Sequence, residues 1–168
     1  MAPTALLKQL ETARFEKALL ISESMAEGHI VLNTTEIARL NNMLTGKTDD
    51  PFRKESVSVT LRSGDIKTLA IVSDPKSTAR EILHYSAELA EKGLLLDAAM
   101  NAYVSFVLSH VFEDANRRTA ALVCHYFLKR YGFPISGVDL HEIEVGDLRD
   151  KAEVESLRLK VANLLNTR

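Results

Sequence analysis

A nine-residue segment at positions 110–118, His-Val-Phe-Glu-Asp-Ala-Asn-Arg-Arg, combines a base, a carboxylate, an amide and two guanidinium groups. The imidazole of His110 titrates near neutral pH, so it can accept a proton from a hydroxyl without a large change in its pKa. Asp114 offers the hard oxygen atoms that Mg²⁺ prefers. Arg117 and Arg118 carry the planar donors that suit phosphate oxygens. This set of residues is typical of a site that holds phosphate groups beside a general base.

Helical patterns enclose this segment on both sides. An apolar helical pattern enters it over residues 98–108, and another leaves it over residues 119–131. The second helix is predicted to begin at about Arg118, so its unpaired backbone N–H groups would face the loop and attract an anion. The positive end of a helix disfavours cations. A bound anion therefore explains the two arginines better than a solvated basic pair does.

Each residue also has an ordinary structural explanation. An isolated histidine at the end of a helix most often has no catalytic role. Asp114 and Asn116 are residue types that turns and helix caps favour. The chemical interpretation depends on all of these residues acting together.

The segment resembles the signature of the Fic/Doc (Fido) family, which reads His-x-Phe-x-Asp/Glu-Gly/Ala-Asn-Gly/Lys-Arg. The matching positions of this chain are His110, Phe112, Asp114, Ala115, Asn116 and Arg118. The resemblance implies a mainly α domain with a helical core around the motif loop. It also implies a short β-hairpin, called the flap, that pairs with an extended segment of a target protein.

The resemblance further implies a transfer from ATP to a hydroxyl group of a target protein. In that reaction His110 would be the catalytic base, Asp114 would hold Mg²⁺, and Phe112 would anchor the loop in the core. The residues that would bind the phosphates are Ala115, whose small side chain permits close approach, Asn116, Arg117 and Arg118.

Two positions depart from the commonest form of the motif. Arg117 stands where a glycine is usual, and Ala121 stands where many members have a second arginine. AMP transfer is the commonest reaction of the family and is the first expectation. Phosphate transfer, as implied for Doc-like members that act as toxins, is a close second, and both departures favour it. A degenerate relative that binds nucleotide without activity is a third candidate, which Ala121 supports.

The segment from Ser22 to Gly28 partly resembles the inhibitory helix of many Fic adenylyltransferases, Ser/Thr-x-x-x-Glu-Gly/Asn. Glu27 and Gly28 fit the pattern, whereas Glu23 occupies the Ser/Thr position. Glu27 is therefore a candidate inhibitory residue, which would either repel a phosphate or pair with Arg117 or Arg118. The alternatives are an ordinary helix that ends at Glu-Gly and a separate antitoxin that occupies the loop.

Apolar periodicity predicts the remaining elements. Helices are predicted over residues 4–27, 33–45, 77–92, 95–109, 118–131 and 153–165. Asn33 and Glu36 have the spacing of a capping box at the start of the second helix, and Gly46 is expected to end it. Alternating apolar residues predict a hairpin over residues 57–72, with a turn at Ser63-Gly64-Asp65. The apolar stripes of these helices, and Cys124, are expected in the core.

The length and composition of the chain limit its domain organisation, its partners and the kinds of site it can hold. A chain of 168 residues is expected to form a single domain over residues 1–168. Its net charge of −2 argues against a nucleic-acid partner, and one cysteine excludes an internal disulfide or a multi-cysteine zinc site. No signal sequence and no membrane-spanning run are recognised, so a cytoplasmic protein is expected. A substrate of a specialised secretion system would have the same composition. The target protein, the preferred nucleotide base and the oligomeric state are not encoded in any recognisable motif.

Overall fold

The computed structural model describes residues 3–60, 64–70 and 74–166. The described residues form seven α-helices and one antiparallel two-stranded sheet. The helices are α1 (Pro3–Glu27), α2 (Thr34–Thr45), α3 (Pro75–Glu91), α4 (Leu95–Ser109), α5 (Asn116–Arg130), α6 (Gly137–Glu142) and α7 (Lys151–Asn166). The strands are β1 (Val57–Thr60) and β2 (Ile66–Leu69). The predicted fold class, mainly α with one small hairpin, is confirmed.

Helix α5 lies at the centre of the fold. Eleven of its 15 residues are buried, and helices α1, α2, α4 and α6 pack against it. Helix α3 packs on the outer side of α4. Cys124 is fully buried in α5, as predicted. The motif loop, residues 110–115, joins α4 to α5. Its two ends are therefore fixed by the most buried part of the protein.

Helix α2 begins and ends with the signals that its sequence predicts. The Asn33 side chain accepts hydrogen bonds from the backbone N–H groups of Thr35 and Glu36, at 2.9 and 3.1 Å. Gly46 ends the helix with a left-handed φ of 73°. The Glu36 carboxylate does not complete a capping box with Asn33, but lies 3.7 Å from Arg39.

The hairpin pairs β1 with β2 in the register Val57↔Leu69 to Thr60↔Ile66. Leu61, Ser63, Ile71 and Val72, which the prediction included in the hairpin and its turn, lie outside the described residues. In β1, Val57 and Val59 are half-buried and alternate with two exposed polar residues, as predicted. In β2 only Leu69 is half-buried, and Ile66 is exposed.

The prediction that the apolar stripes lie in the core is wrong for the first half of α1. Leu6, Leu7 and Leu10 are 60, 62 and 44% exposed. The helix becomes buried only from Phe15 onward. Periodicity alone identified the helix but not the point at which neighbouring helices begin to cover it.

Two further differences concern the second half of the chain. The short helix α6 was not predicted, because six residues are too few to show a clear apolar period. Its first turn is capped by Ser136, whose hydroxyl accepts a hydrogen bond from the backbone N–H of Asp139 at 3.2 Å. Helix α5 begins at Asn116, two residues before the predicted start.

None of the described helices is both long and apolar enough to cross a membrane.

Candidate functional site

The motif loop begins and ends at residues with left-handed backbone conformations. His110 ends α4 with φ 50° and ψ 49°, and Ala115 precedes α5 with φ 57° and ψ 22°. A non-glycine residue in this region costs about 1–2 kcal/mol relative to its ordinary conformations. Such a conformation persists only when the surrounding contacts impose it. The geometry of the loop is therefore determined by the residues that hold it.

Aromatic packing anchors the middle of the loop. Phe112 is fully buried, and its ring stacks on those of Phe52 and Phe106, with centroid distances of 5.0 and 6.3 Å. The role predicted for Phe112, an anchor in the core, agrees with this geometry.

A short backbone bridge fixes the loop to the segment before the hairpin. The backbone N–H of Arg53 donates to the carbonyl of Val111, and that of Glu113 donates to the carbonyl of Pro51, both at 3.0 Å. Lys47 and Glu113 add an exposed ion pair at 3.2 Å. The hairpin and the motif loop are thus connected through the residues that precede β1.

The Asn116 side chain closes the loop. Its Oδ1 accepts a hydrogen bond from the backbone N–H of Phe112, and its Nδ2 donates one to the carbonyl of Phe112, both at 2.9 Å. Asn116 is 5% exposed. The prediction gave this side chain hydrogen bonds to phosphate, but its amide is already engaged within the loop. The backbone N–H of Asn116, unlike its side-chain amide, is still available to an anion.

A second asparagine, which the sequence analysis missed, holds the loop from α2. The Asn41 side chain donates to the carbonyl of Asp114 at 2.9 Å and to the Thr119 hydroxyl at 3.0 Å. It is 1% exposed. The sequence signal was a polar residue on the apolar face of α2, between Leu40 and Leu44.

The first turn of α5 presents three backbone donors. The first hydrogen bond of the helix runs from the Thr119 N–H to the carbonyl of Ala115, at 2.9 Å. The N–H groups of Asn116, Arg117 and Arg118 precede this bond, and no acceptor for them is found among residues 3–60, 64–70 and 74–166. Free donors at the positive end of a buried helix form a site for an anion such as phosphate.

The two arginines flank these donors. Arg117 is exposed, and its Nε donates to the Tyr103 hydroxyl at 3.4 Å. The Arg118 side chain is 19% exposed and lies 3.8 Å from Asp114 and 3.6 Å from Glu11. Its Nη1 is buried, without a hydrogen-bond partner in the described structure. Arg118 therefore retains donors that a phosphate oxygen could accept from.

His110 has the environment of a general base. Its Nδ1 lies 3.4 Å from the carbonyl of Val107. A carbonyl can only accept, so this contact favours the neutral tautomer that carries the proton on Nδ1 and a lone pair on Nε2. Burial lowers the pKa of His110; the Val107 carbonyl raises it, Arg53 lowers it and Asp114 raises it, with burial the largest of these effects. The ring is half-buried, and is not enclosed by hydrocarbon.

Asp114 is the loop carboxylate that would hold Mg²⁺. Its side chain is 64% exposed. Its Oδ1 accepts from the N–H of Ala115 at 2.5 Å, and no contact of its Oδ2 is found in the described part of the chain. No cluster of three metal-binding side chains occurs among the described residues. One carboxylate nevertheless fits Mg²⁺, which usually keeps water and binds substrate phosphates.

Glu27 does not lie at this site. Its carboxylate is 3.2 Å from the ammonium group of Lys129, near the last turn of α5, whereas the arginines occupy the first turn. The predicted pairing of Glu27 with Arg117 or Arg118 is therefore wrong. Helix α1 runs in the same direction as α5, so its last residues reach the far end of that helix. Glu11 is the residue of α1 that reaches Arg118.

The fold and the site together define a helical domain with free backbone donors and two arginines in the first turn of its central helix. The sequence model of the Fic/DOC family matches residues 31–128. This match covers more than half of the chain, which therefore belongs to the Fic/DOC family. Members of this family are typically transferases.

A crystal structure supports the same fold. A Fic-domain-containing signalling protein from Bacteroides thetaiotaomicron aligns with a TM-score of 0.65 and 21% sequence identity. The alignment covers 94% of this chain and 65% of that protein, so this chain spans slightly less than two thirds of its neighbour. A comparison with curated protein sequences gives no match.

Loss of the two hydrogen bonds between the Asn116 side chain and the backbone of Phe112 should destabilise the protein. Asn116→Ala would leave the buried N–H and carbonyl of Phe112 without partners, at a cost of about 1–3 kcal/mol for each group. Urea denaturation followed by circular dichroism measures the change. Glu113→Gln, which affects only an exposed ion pair on the same loop, should change stability by less than about 1 kcal/mol. If Asn116→Ala and the unmodified protein were equally stable, these two hydrogen bonds would not stabilise the loop.

The pKa of His110 should lie below its ordinary value of 6.5. Because burial disfavours the charged ring, His110 would remain neutral at pH 7 and become protonated only under more acidic conditions. A proton NMR titration of the histidine ring signals measures this value, and His110→Gln identifies the signal by its loss. A midpoint above 6.5 would show that the ring is held in its charged form instead.

Proposed function

We propose that this chain transfers AMP from ATP to a hydroxyl group of a target protein. One observation carries the proposal: a single loop brings together free helix N-terminal donors, Arg118 and the half-buried imidazole of His110. The donors and the guanidinium group would hold the triphosphate, and the imidazole would activate the hydroxyl. Anion binding alone would not require a neutral base at the same loop.

The transfer would take place in a single step at the α-phosphorus of ATP. The Nε2 atom of His110 takes the proton of the target hydroxyl, and the hydroxyl oxygen forms a bond to the α-phosphorus of ATP. The bond between this phosphorus and the bridging oxygen of the β-phosphate breaks, and pyrophosphate leaves. Arg118 and the N–H groups at the start of α5 stabilise the negative charge on the phosphates. Asp114 would hold Mg²⁺, which neutralises part of the phosphate charge when it is bound.

The β-hairpin would hold the target protein. Its two strands form a sheet of their own among the described residues, so the outer edges have backbone groups that an extended segment could pair with. The backbone bridge between Arg53 and Val111 places this hairpin next to the catalytic loop. A target strand on the hairpin would therefore lie close to His110.

Transfer of the terminal phosphate is a second candidate, and two observations favour it. Ala121 is buried, with 2% exposure, so the position of the second arginine supplies no cation. Arg117 adds a guanidinium group to the first turn of α5, where its only described hydrogen bond is to Tyr103. In this reaction the hydroxyl oxygen would attack the γ-phosphorus, and ADP would leave.

Radioactive labelling separates the two reactions. The purified chain is incubated with cell extract and ATP labelled at the α- or γ-phosphate, and labelled proteins are detected. Label from the α-position indicates AMP transfer, and label from the γ-position alone indicates phosphate transfer. His110→Ala should lower the rate of label transfer by at least about 100-fold in either case. His84 is an exposed histidine of α3, so His84→Ala should leave that rate unchanged. An active His110→Ala variant would exclude the proposed base, and ATP binding without any label would support a binding protein.

We also propose that α1 weakens nucleotide binding through Glu11 rather than through Glu27. The Glu11 carboxylate lies 3.6 Å from the Arg118 guanidinium, where it would compete with a phosphate for the same cation. Glu11 is 57% exposed, so solvent screens the ion pair and its effect is small.

The two glutamates of α1 provide a matched comparison. Glu11→Gln should strengthen the binding of ATP with Mg²⁺ by about two- to fivefold, because an exposed ion pair contributes up to about 1 kcal/mol. Glu27→Gln, which makes the same change at the opposite end of α5, should leave the affinity unaltered. Isothermal titration calorimetry measures both. An equal response of the two variants would show that α1 acts in another way or not at all.

A further inference from the structure

A pocket lies between the hairpin and the motif loop, separate from the backbone donors of α5. It has a volume of about 380 Å³, and its lining includes Arg53, Lys67, Thr68 and Ser109. Ser109 and Val111, which also lines the pocket, are the chain neighbours of His110. A side chain that enters this pocket would therefore lie beside the hydroxyl group that His110 activates.

Arg53 makes the pocket unusual, because it is a buried cation with no carboxylate partner in the described part of the chain. It is 8% exposed, and no ion pair to it is found among the described residues. Its Nη1 donates to the carbonyls of Leu69 at 2.8 Å and Glu55 at 3.4 Å, and its Nη2 donates to that of Ala70 at 3.2 Å. Its Nε is buried without a hydrogen-bond partner in the described structure. These carbonyls tie the ends of the hairpin together, but they carry no full negative charge, and no described residue supplies a counter-ion.

The remaining lining adds to this positive charge. Lys67 is exposed on β2, and the described residues that line the pocket include no aspartate or glutamate. Burying a charge costs several kcal/mol of desolvation free energy, which hydrogen bonds and an opposite charge can offset. Two cations around one small pocket raise the potential inside it, which attracts an anion. A carboxylate between Lys67 and Arg53 would supply the missing counter-ion.

We propose that this pocket recognises an aspartate or glutamate side chain of the target protein, close in sequence to the hydroxyl that is modified. The inference rests on the proposed function, since it assumes that a target segment lies along the hairpin. It adds a rule of substrate choice: acceptor sites with a neighbouring acidic residue are preferred. Arg53 sets the charge at the back of the pocket, and Lys67 contacts the carboxylate at its rim.

A peptide library tests the preference without any transfer reaction. The library fixes a central threonine and randomises four positions on each side, and the immobilised chain captures peptides in the absence of nucleotide. The expected result is an enrichment of aspartate or glutamate of about tenfold at one position, as a charge-assisted hydrogen bond would give. Absence of acidic enrichment, or enrichment of basic or apolar residues instead, overturns the proposal.

Charge reversal at the rim provides the control. Arg53→Ala would release the hairpin carbonyls and disturb the fold, so Lys67→Glu is the informative variant because its side chain is exposed. Lys67→Glu should abolish the acidic preference, whereas Lys54→Glu, an exposed lysine outside the pocket lining, should retain it. An acidic preference that survives Lys67→Glu, or that both variants lose equally, would contradict the assignment. Since this test measures binding alone, its failure is distinct from an absence of label transfer.

Discussion

The hydrogen bonds between the Asn116 side chain and the backbone of Phe112 determine the geometry on which the site depends. They close the turn between α4 and α5 and keep Ala115 in its left-handed conformation. This conformation directs the first N–H groups of α5 into the loop. Asn41 holds the same turn from α2, through the carbonyl of Asp114. Without these contacts, the donors, the carboxylate and the base would not face one ligand.

The charges around the loop are balanced only in part. Arg118 lies near two exposed carboxylates, Asp114 and Glu11, yet its Nη1 has no hydrogen-bond partner in the described structure. Its contacts with them, at 3.8 and 3.6 Å, are longer than direct hydrogen bonds. A triphosphate offers more charge and better geometry than either carboxylate. The proposed triphosphate would therefore satisfy the Arg118 guanidinium group better than Asp114 and Glu11 do.

The sequence predicted the elements well where local signals exist. The cap at Asn33, the stop at Gly46 and the bounds of α4 were all recognisable from residue types and apolar periodicity. The start of α5 was misplaced by two residues, because the left-handed Ala115 ends the loop earlier than the apolar pattern indicates. The anchoring role of Phe112 also followed from the motif.

Contacts between distant segments could not be predicted in the same way. Asn41 and Asp114 are separated by 73 residues, and Arg118 and Glu11 by more than a hundred, so no local pattern relates them. The wrong pairing of Glu27 with Arg117 or Arg118 has the same cause. The sequence predicted that α1 ends at Glu27, but it could not show in which direction α1 runs along α5. The buried charge of Arg53 was hidden for the same reason, since only the folded hairpin encloses it.

We expect the start of α5 to hold the phosphates of a nucleotide beside His110. Two-dimensional NMR of the ¹⁵N-labelled protein, titrated with ATP and Mg²⁺, measures this binding residue by residue. The largest saturable shifts should occur at the backbone N–H groups of Asn116, Arg117 and Arg118. Unchanged N–H signals of these three residues, at nucleotide concentrations that shift other parts of the protein, would contradict this expectation.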